Sequence, residues 1–485
     1  MEQPMMGYKL RHFRVHREIS LEDLVPTDNF YRQVHQVVDF SFVRDLVQHL
    51  YSDFGRPSID PVVFFKLQLI AFFEGIRSER QLMEQVHLNI AHRWFIGYDL
   101  HESVPDHSSM TRIRERYGLE IFHQFFEHIV ERCAEARMIW GEELYFDGTK
   151  VRANADIHNM VERSEYEAQQ HLDELWKIPK GELTKPSLEN LVMKYNGAKI
   201  SGNRKSSYQR LADEKVSPVD PDASPMRPSG GVSTVLGYHD HYIVDGGKAR
   251  IILSALITPA SIMDNTPILD LVDWVCDRWE LTPKITSGDA KYGTIPNLVG
   301  LEERGMKAYI PLPDLSKRTK YYPASEFTYV PEKDEYKCPQ GEILTLFSRR
   351  KTEENFVYRA EAKICNACPV KDACTGSKSG RHIFRSFHQV YIDRVTAYSE
   401  TEAYQKAMRK RGVWVEPLFG EAKDFHRLRR FRLRGLKKVN IEGIMIAAGQ
   451  NLKRLIKNYK ERLFSFFAES PYNLISPVCW TFSTG

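Results

Sequence analysis

The part of the chain that most restricts its fold lies between residues 138 and 315. There "LYFDGTKV", "GYHDHYIVDGG", "ARIILSALITPAS" and "PKITSGDAKYG" form short β-rich runs, each bounded by Gly, Asp or Pro. Asp245, Gly246 and Gly247 supply a tight turn, which predicts a hairpin between the second and third runs. "TPILDLVDWVCDRWEL", between the last two runs, has helical spacing. Strands and a helix interleaved in this way predict a mixed α/β core.

Helices are expected on either side. "PVVFFKLQLIAFFEGIRSERQLMEQV" and "LEIFHQFFEHIVERCAEA" place apolar residues three and four apart, and Asp106, Ser108 and Ser109 are candidate caps for "DHSSMTRIRERYG". The helical period returns through "EPLFGEAKDFHRLRRF" and "NIEGIMIAAGQNLKRLIKNYKERL". The expected organisation is a helical domain over 1–137, a core in pieces over 138–177, 231–315 and 395–465, and a tail over 466–485. Residues 178–230, rich in Pro, Ser, Gly and charge, read as a flexible insertion, and 316–394 as an insertion that holds a cysteine cluster.

The most apolar run is interrupted by Lys66 and Glu74 and is too short to span a bilayer. The first residues lack the apolar centre of a secretory signal. A cytoplasmic protein is therefore expected, with no membrane partner. Its net charge of +4 is mild, so the placement of charge matters more than the total.

Two acids stand where β-rich runs give way to loops: Asp147 before Gly148, and Asp289 after Gly288. Glu416 opens a helix-like run. A carboxylate at a strand end can simply solvate the departing chain. Three acids brought together would instead suit hard divalent cations, which take oxygen ligands and can clamp a phosphodiester during in-line displacement.

"YFDGTKVRANAD", "SGDAKYGT" and "VEPLFGEAKDFHRLRRFRLRG", behind a helical half containing "GIRSERQLMEQVHLNIAHRWFIGY", resemble a bacterial insertion-sequence transposase of the DDE type, of the IS1182 group within the IS4/IS5-related superfamily. The resemblance covers most of the chain. It implies an RNase H-like core and catalytic metal ligands at Asp147, Asp289 and Glu416, with Lys423 after the glutamate. It further implies Mg²⁺ or Mn²⁺ as cofactor, and hydrolysis and strand transfer on DNA, namely terminal inverted repeats and a target. A nucleoid-associated homodimer that holds two ends is the expected assembly. Related families often place an Arg and a Tyr at fixed distances before the Glu. Here Arg411 is one position too far and no Tyr fits, so Arg411 and Tyr404 receive no role.

"HRLRRFRLRGLKK" interleaves Arg427, Arg429, Arg430, Arg432 and Arg434 with Leu428, Phe431 and Leu433, adds Lys437 and Lys438, and contains no acid. Such like charges are stabilised by a polyanion, which makes the stretch a candidate to follow the DNA backbone. Arg112, Arg114 and Arg116 near a capped helix start are candidates for base reading.

Cys338, Cys365, Cys368 and Cys374 are spaced C-x26-C-x2-C-x5-C among polar loops, as ligands of one structural Zn²⁺ would be; the alternative is four separate packed thiols. Cys133, Cys276 and Cys479 read as packing residues, and His239 and His241, on one strand face, receive no role. Besides a transposase, the residues fit an RNase H-like nuclease that cuts without joining, or a DNA-binding regulator without catalysis.

Overall fold

The computed structural model describes residues 19–52, 58–167, 192, 194, 206–228, 230–231, 233–313 and 320–469. Two units form. One contains Met1–Arg132, Phe425–Arg427 and Ala448–Gly485, and the other Cys133–Asp424 and Leu428–Ala447. These limits differ from the expected ones at the C-terminal end: the last helix, Leu436–Glu469, contributes to the core unit only as far as Ala447. Cys479 and most of the expected 178–230 insertion lie outside the described residues.

The first unit is helical. Helix α1, Pro61–Phe73, starts on Asp60, whose carboxylate accepts the Val62 N–H at 2.9 Å, with Pro61 in the first turn where its missing N–H costs nothing. It is apolar on nearly every side and accordingly buried. Helix α2, Glu79–Leu88, is capped by Ser78. Helix α3, His107–Glu135, begins on Asp106, which accepts the Ser108 N–H at 2.8 Å. It breaks at Gly118, whose φ of 65° a side chain would resist. Beyond the break Phe122, Phe125, Phe126, Ile129 and Val130 recur on one buried stripe, and Phe125 stacks on Phe65 of α1 at 4.4 Å.

The second unit is built on a six-stranded mixed sheet. Its strands are β1 (Glu143–Arg152), β2 (Ser224–Met226), β3 (Val235–Asp245), β4 (Ile252–Pro259), β5 (Ile285–Ser287) and β6 (Lys307–Tyr309). β3 lies antiparallel to β1 on one side and to β4 and β2 on the other; β1, β5 and β6 run parallel. The expected hairpin is therefore β3–β4. Asp245 holds its turn by accepting the N–H groups of Trp140, Gly141 and Gly247. The expected helix between the last two runs is α4, Ile268–Trp279.

Part of the expected flexible insertion is ordered. Residues 207–214 form a helix closed by a capping box from Ser206 and Gln209, and 224–226 are the edge strand β2. A strand of three residues containing a proline carries no alternation to read, and its place at the sheet edge is where proline is tolerated. The later insertion folds as a five-stranded antiparallel sheet, Thr328–Val330, Glu335–Lys337, Ile343–Arg350, Asn355–Ala360 and His382–Ser386, around Phe327, Leu344, Tyr358 and Ile383.

Candidate active site

Asp147 is not at the end of its own strand. β1 continues to Arg152, and Asp147 sits opposite Tyr242 in the ladder with β3. It lies instead beyond the end of the parallel neighbour. Tyr145 pairs with Ser287, the last residue of β5, and the same register carried two residues further sets Asp147 level with Asp289. Gly288 makes this approach possible: a Cβ there would stand 2.2 Å from the Phe146 ring. Asp289 then caps a short turn by accepting the Lys291 N–H at 2.9 Å, which fixes its backbone at the rim of the sheet.

Helices α5 (Glu402–Trp414) and α6 (Glu416–Phe425) supply the rest. α5 starts on Thr401, whose hydroxyl accepts the Tyr404 N–H. The helices part at Val415, just before Pro417, which has no N–H to continue the ladder. Leu418, Phe419 and Ala422 bury one face of α6, and Phe419 stacks on Tyr242 of β3 at 4.4 Å. Tyr242 is the cross-strand partner of Asp147, so α6 lies on the Asp147 side of the sheet.

Arg411, which the sequence left without a role, links the acids. Its guanidinium is 3.6 Å from Asp147 Oδ2 and 3.3 Å from Glu416 Oε1. It lies in the last turn of α5, and Glu416 opens α6 just across the break at Val415. Burial pushes the Asp147 carboxyl up to about 6; Asp289 adds to the rise, while the Gly148 N–H and Arg411 oppose it. Lys291 stands 3.7 Å from Asp289 Oδ2. Tyr404 is a core residue packed on Tyr309.

Lys423 points inward, its ammonium on the Thr149 hydroxyl. Burial and then Arg429 lower its pKa, against the attraction of Asp240 and Asp147. Asp240 is an acid the sequence reading missed. Wholly buried on β3 opposite Thr149, it is pushed up to about 8 by burial, with Lys423 pulling the other way. Its signal was present, an acid between two histidines in an apolar run.

The helix expected through "HRLRRF" ends at Phe425. Beyond it Leu428 and Phe431 are buried, and the Phe431 N–H bonds to the Arg152 carbonyl, so the chain is pinned beside β1 rather than coiled. The arginines are also less bare than expected: Arg429 pairs with Asp424, and Arg430 and Arg434 reach Asn154. Glu442 accepts the backbone N–H groups of Arg432 and Leu433. Arg427, Arg429, Arg430, Arg434, Lys437 and Lys438 are exposed, Arg432 half-buried. Arg114 is 3% exposed and paired with Glu79, which removes it from base reading; burying one face of α3 took it inside.

Cys338, Cys365, Cys368 and Cys374 all line one small cavity of the insertion. The N–H groups of Gln340 and Glu342 each approach Cys338 Sγ at 3.3 Å, and that of Arg381 approaches Cys365 Sγ at 3.4 Å. Among the described residues no three His, Cys, Asp or Glu side chains are gathered tightly enough to hold a metal ion. That holds for the three acids, with Arg411 between two of them, and for the four thiols. Cys133 is buried and Cys276 half-buried, as packing residues.

Residues 19–116 match a transposase domain family (DUF772), and residues 337–456 match a transposase DDE domain. The matches support a DDE transposase. The second takes in Glu416, Lys423, the basic stretch and the four cysteines; Asp147 and Asp289 fall outside both. A DNA transposase acts on DNA, and the domain implies use of a divalent metal in general. No curated protein and no solved structure matches the chain. No helix among the described residues is long and apolar enough to cross a membrane.

Proposed function

We propose that the protein is an insertion-sequence transposase of the IS1182 kind, and that Asp147, Asp289 and Glu416 hold Mg²⁺ for cleavage and strand transfer at element ends. The observation that carries this reading is the approach of Asp147 on β1 to Asp289 just past the end of the parallel strand β5, with Glu416 tied to Asp147 through Arg411. A mixed sheet with its antiparallel hairpin on one flank and parallel strands on the other supports an RNase H-like core. The donors are carboxylate oxygens, which suits a hard cation. When bound, Mg²⁺ would activate water and neutralise charge on the scissile phosphate. Arg411 neutralises two of the acids in the absence of a cation and would be available to phosphate in its presence. Lys423 screens Asp240 and Asp147, and the exposed arginines and lysines from Arg427 to Lys438 hold the DNA backbone of both ends in a homodimer.

One Zn²⁺ per chain would be a structural staple of the insertion, with Cys338, Cys365, Cys368 and Cys374, which line one small cavity, closing on the ion as it binds. Backbone N–H groups are directed at two of the sulfurs, and thiolate sulfur is a usual zinc ligand. Purified protein tests the catalytic reading: labelled element-end DNA should be cut in Mg²⁺ and left whole by Asp147→Ala and Asp289→Ala, which still bind it. Cleavage by either variant would remove both residues from the reaction.

A further inference from the structure

The face of β1 turned away from Arg411 borders a cavity of about 930 Å³, at the upper end of the roughly 300–1,000 Å³ usual for small-ligand sites. Its body is apolar, with Met226, Met263, Leu298 and Leu312 among the lining side chains, and Lys150, Arg227 and Lys291 bring positive charge. Asp264 is the one acid in the lining among the described residues. Lys150 lies beside His239 in the β1–β3 ladder, so cation and imidazole share this face.

His239 is the unusual member. It is 6% exposed and lines the cavity. Its Nδ1 meets the Ile262 carbonyl at 2.9 Å, an acceptor that keeps a proton on that nitrogen, with Asp264 Oδ1 2.7 Å away. The other nitrogen, Nε2, is buried with no hydrogen-bond partner among the described residues. A buried polar atom left unpaired is expensive, which marks the His239 ring out among the groups that line the cavity. The neighbouring His241 shows the satisfied alternative, its Nε2 on the Thr258 hydroxyl at 2.9 Å.

The cavity is joined to the acids described above. Lys291 is 3.5 Å from Asp264 Oδ2 and 3.7 Å from Asp289 Oδ2, so one ammonium touches both the cavity acid and the candidate metal ligand. Met263 is 57% exposed, a large apolar side chain left in water.

We propose that this cavity binds one nucleotide, its base among the apolar side chains beside the His239 ring, its phosphate at Lys150 and Lys291. The apolar body and the cationic flank match a base joined to a phosphate. The nucleotide comes either from an unpaired position in bound DNA or from free solution. The DNA source rests on the transposase reading, since it sets the unpaired residue beside Asp289.

The test uses the full chain in EDTA, so that nothing is cut. Two probes separate the sources: a duplex carrying one unpaired 2-aminopurine, compared with the same duplex fully paired, and free dAMP. Binding to the unpaired duplex should be about tenfold tighter, the scale of stacking one base on the protein. Met263→Glu, at an exposed position that leaves folding intact, and His239→Gln should both remove that preference while paired DNA binds as before. If the preference is absent but dAMP binds, and binding weakens in both variants, the free nucleotide is the occupant. If neither probe shows a preference or binding that the two variants abolish, the proposal is overturned. Normal binding of paired DNA in that same experiment leaves the transposase reading standing, so the two failures are distinguishable.

Discussion

Asp147→Asn should stabilise the metal-free protein at alkaline pH while ending its catalysis. The wild-type carboxyl, 15% exposed, is pushed up to about 6 from 3.8, chiefly by burial. A carboxyl whose folded pKa is raised binds its proton more tightly in the folded state. The fold therefore has its full stability below pH 3.8 and loses some as the pH climbs through 6. Roughly two pKa units at about 1.4 kcal/mol each give a loss near ~3 kcal/mol above pH 7. Asparagine carries no charge and avoids the loss. Arg411 gives back a part of the gain, since it forfeits Asp147 at 3.6 Å while keeping Glu416 at 3.3 Å. Urea unfolding in EDTA at pH 8 should thus favour the variant by about 1–3 kcal/mol, with the gap closing near pH 4. Mg²⁺ should raise the stability of the wild type alone. A variant less stable at pH 8, or a gap of the same size at both pH values, would refute this account of Asp147.

Glu416→Gln should eliminate strand transfer and Glu421→Gln retain most of it, because Glu416 pairs with Arg411, which also reaches Asp147; a gel assay showing the reverse ranking would reject the assignment. Lys423→Ala should weaken positioning of the scissile DNA, read as a lower cleavage rate at saturating DNA, and an unchanged rate would leave Lys423 a purely internal contact. Neutralising Arg429, Arg430 and Arg432 together should weaken binding to all sequences alike and reduce the log–log salt slope by about 0.9 for each lost phosphate contact. Elemental analysis should find about one zinc per chain, and Cys365→Ser or Cys368→Ser should loosen the insertion before the core; protein free of zinc would dismiss the site.

The elements legible in the sequence were those with a local signal. The β3–β4 hairpin followed from Asp245, Gly246 and Gly247, and Asp147 and Asp289 were singled out by the glycines beside them. What stayed hidden depends on pairing between distant segments. The alignment of Asp147 with Asp289 is a property of the β1–β5 register, and no spacing within either run states it. Arg411 escaped because its reach to Asp147 and Glu416 depends on the helix break at Val415. Arg114 looked like a base reader until packing of α3 buried it, and His239 became informative only once one of its nitrogens was found without a partner.

The most direct test of the central claim is to incubate purified protein with Mg²⁺, labelled element-end DNA and a target plasmid. Joined products that vanish with Asp147→Ala, Asp289→Ala and Glu416→Gln are predicted. Cut ends with no joined product would make the protein a nuclease, and joining that survives any of the three substitutions would contradict the site itself.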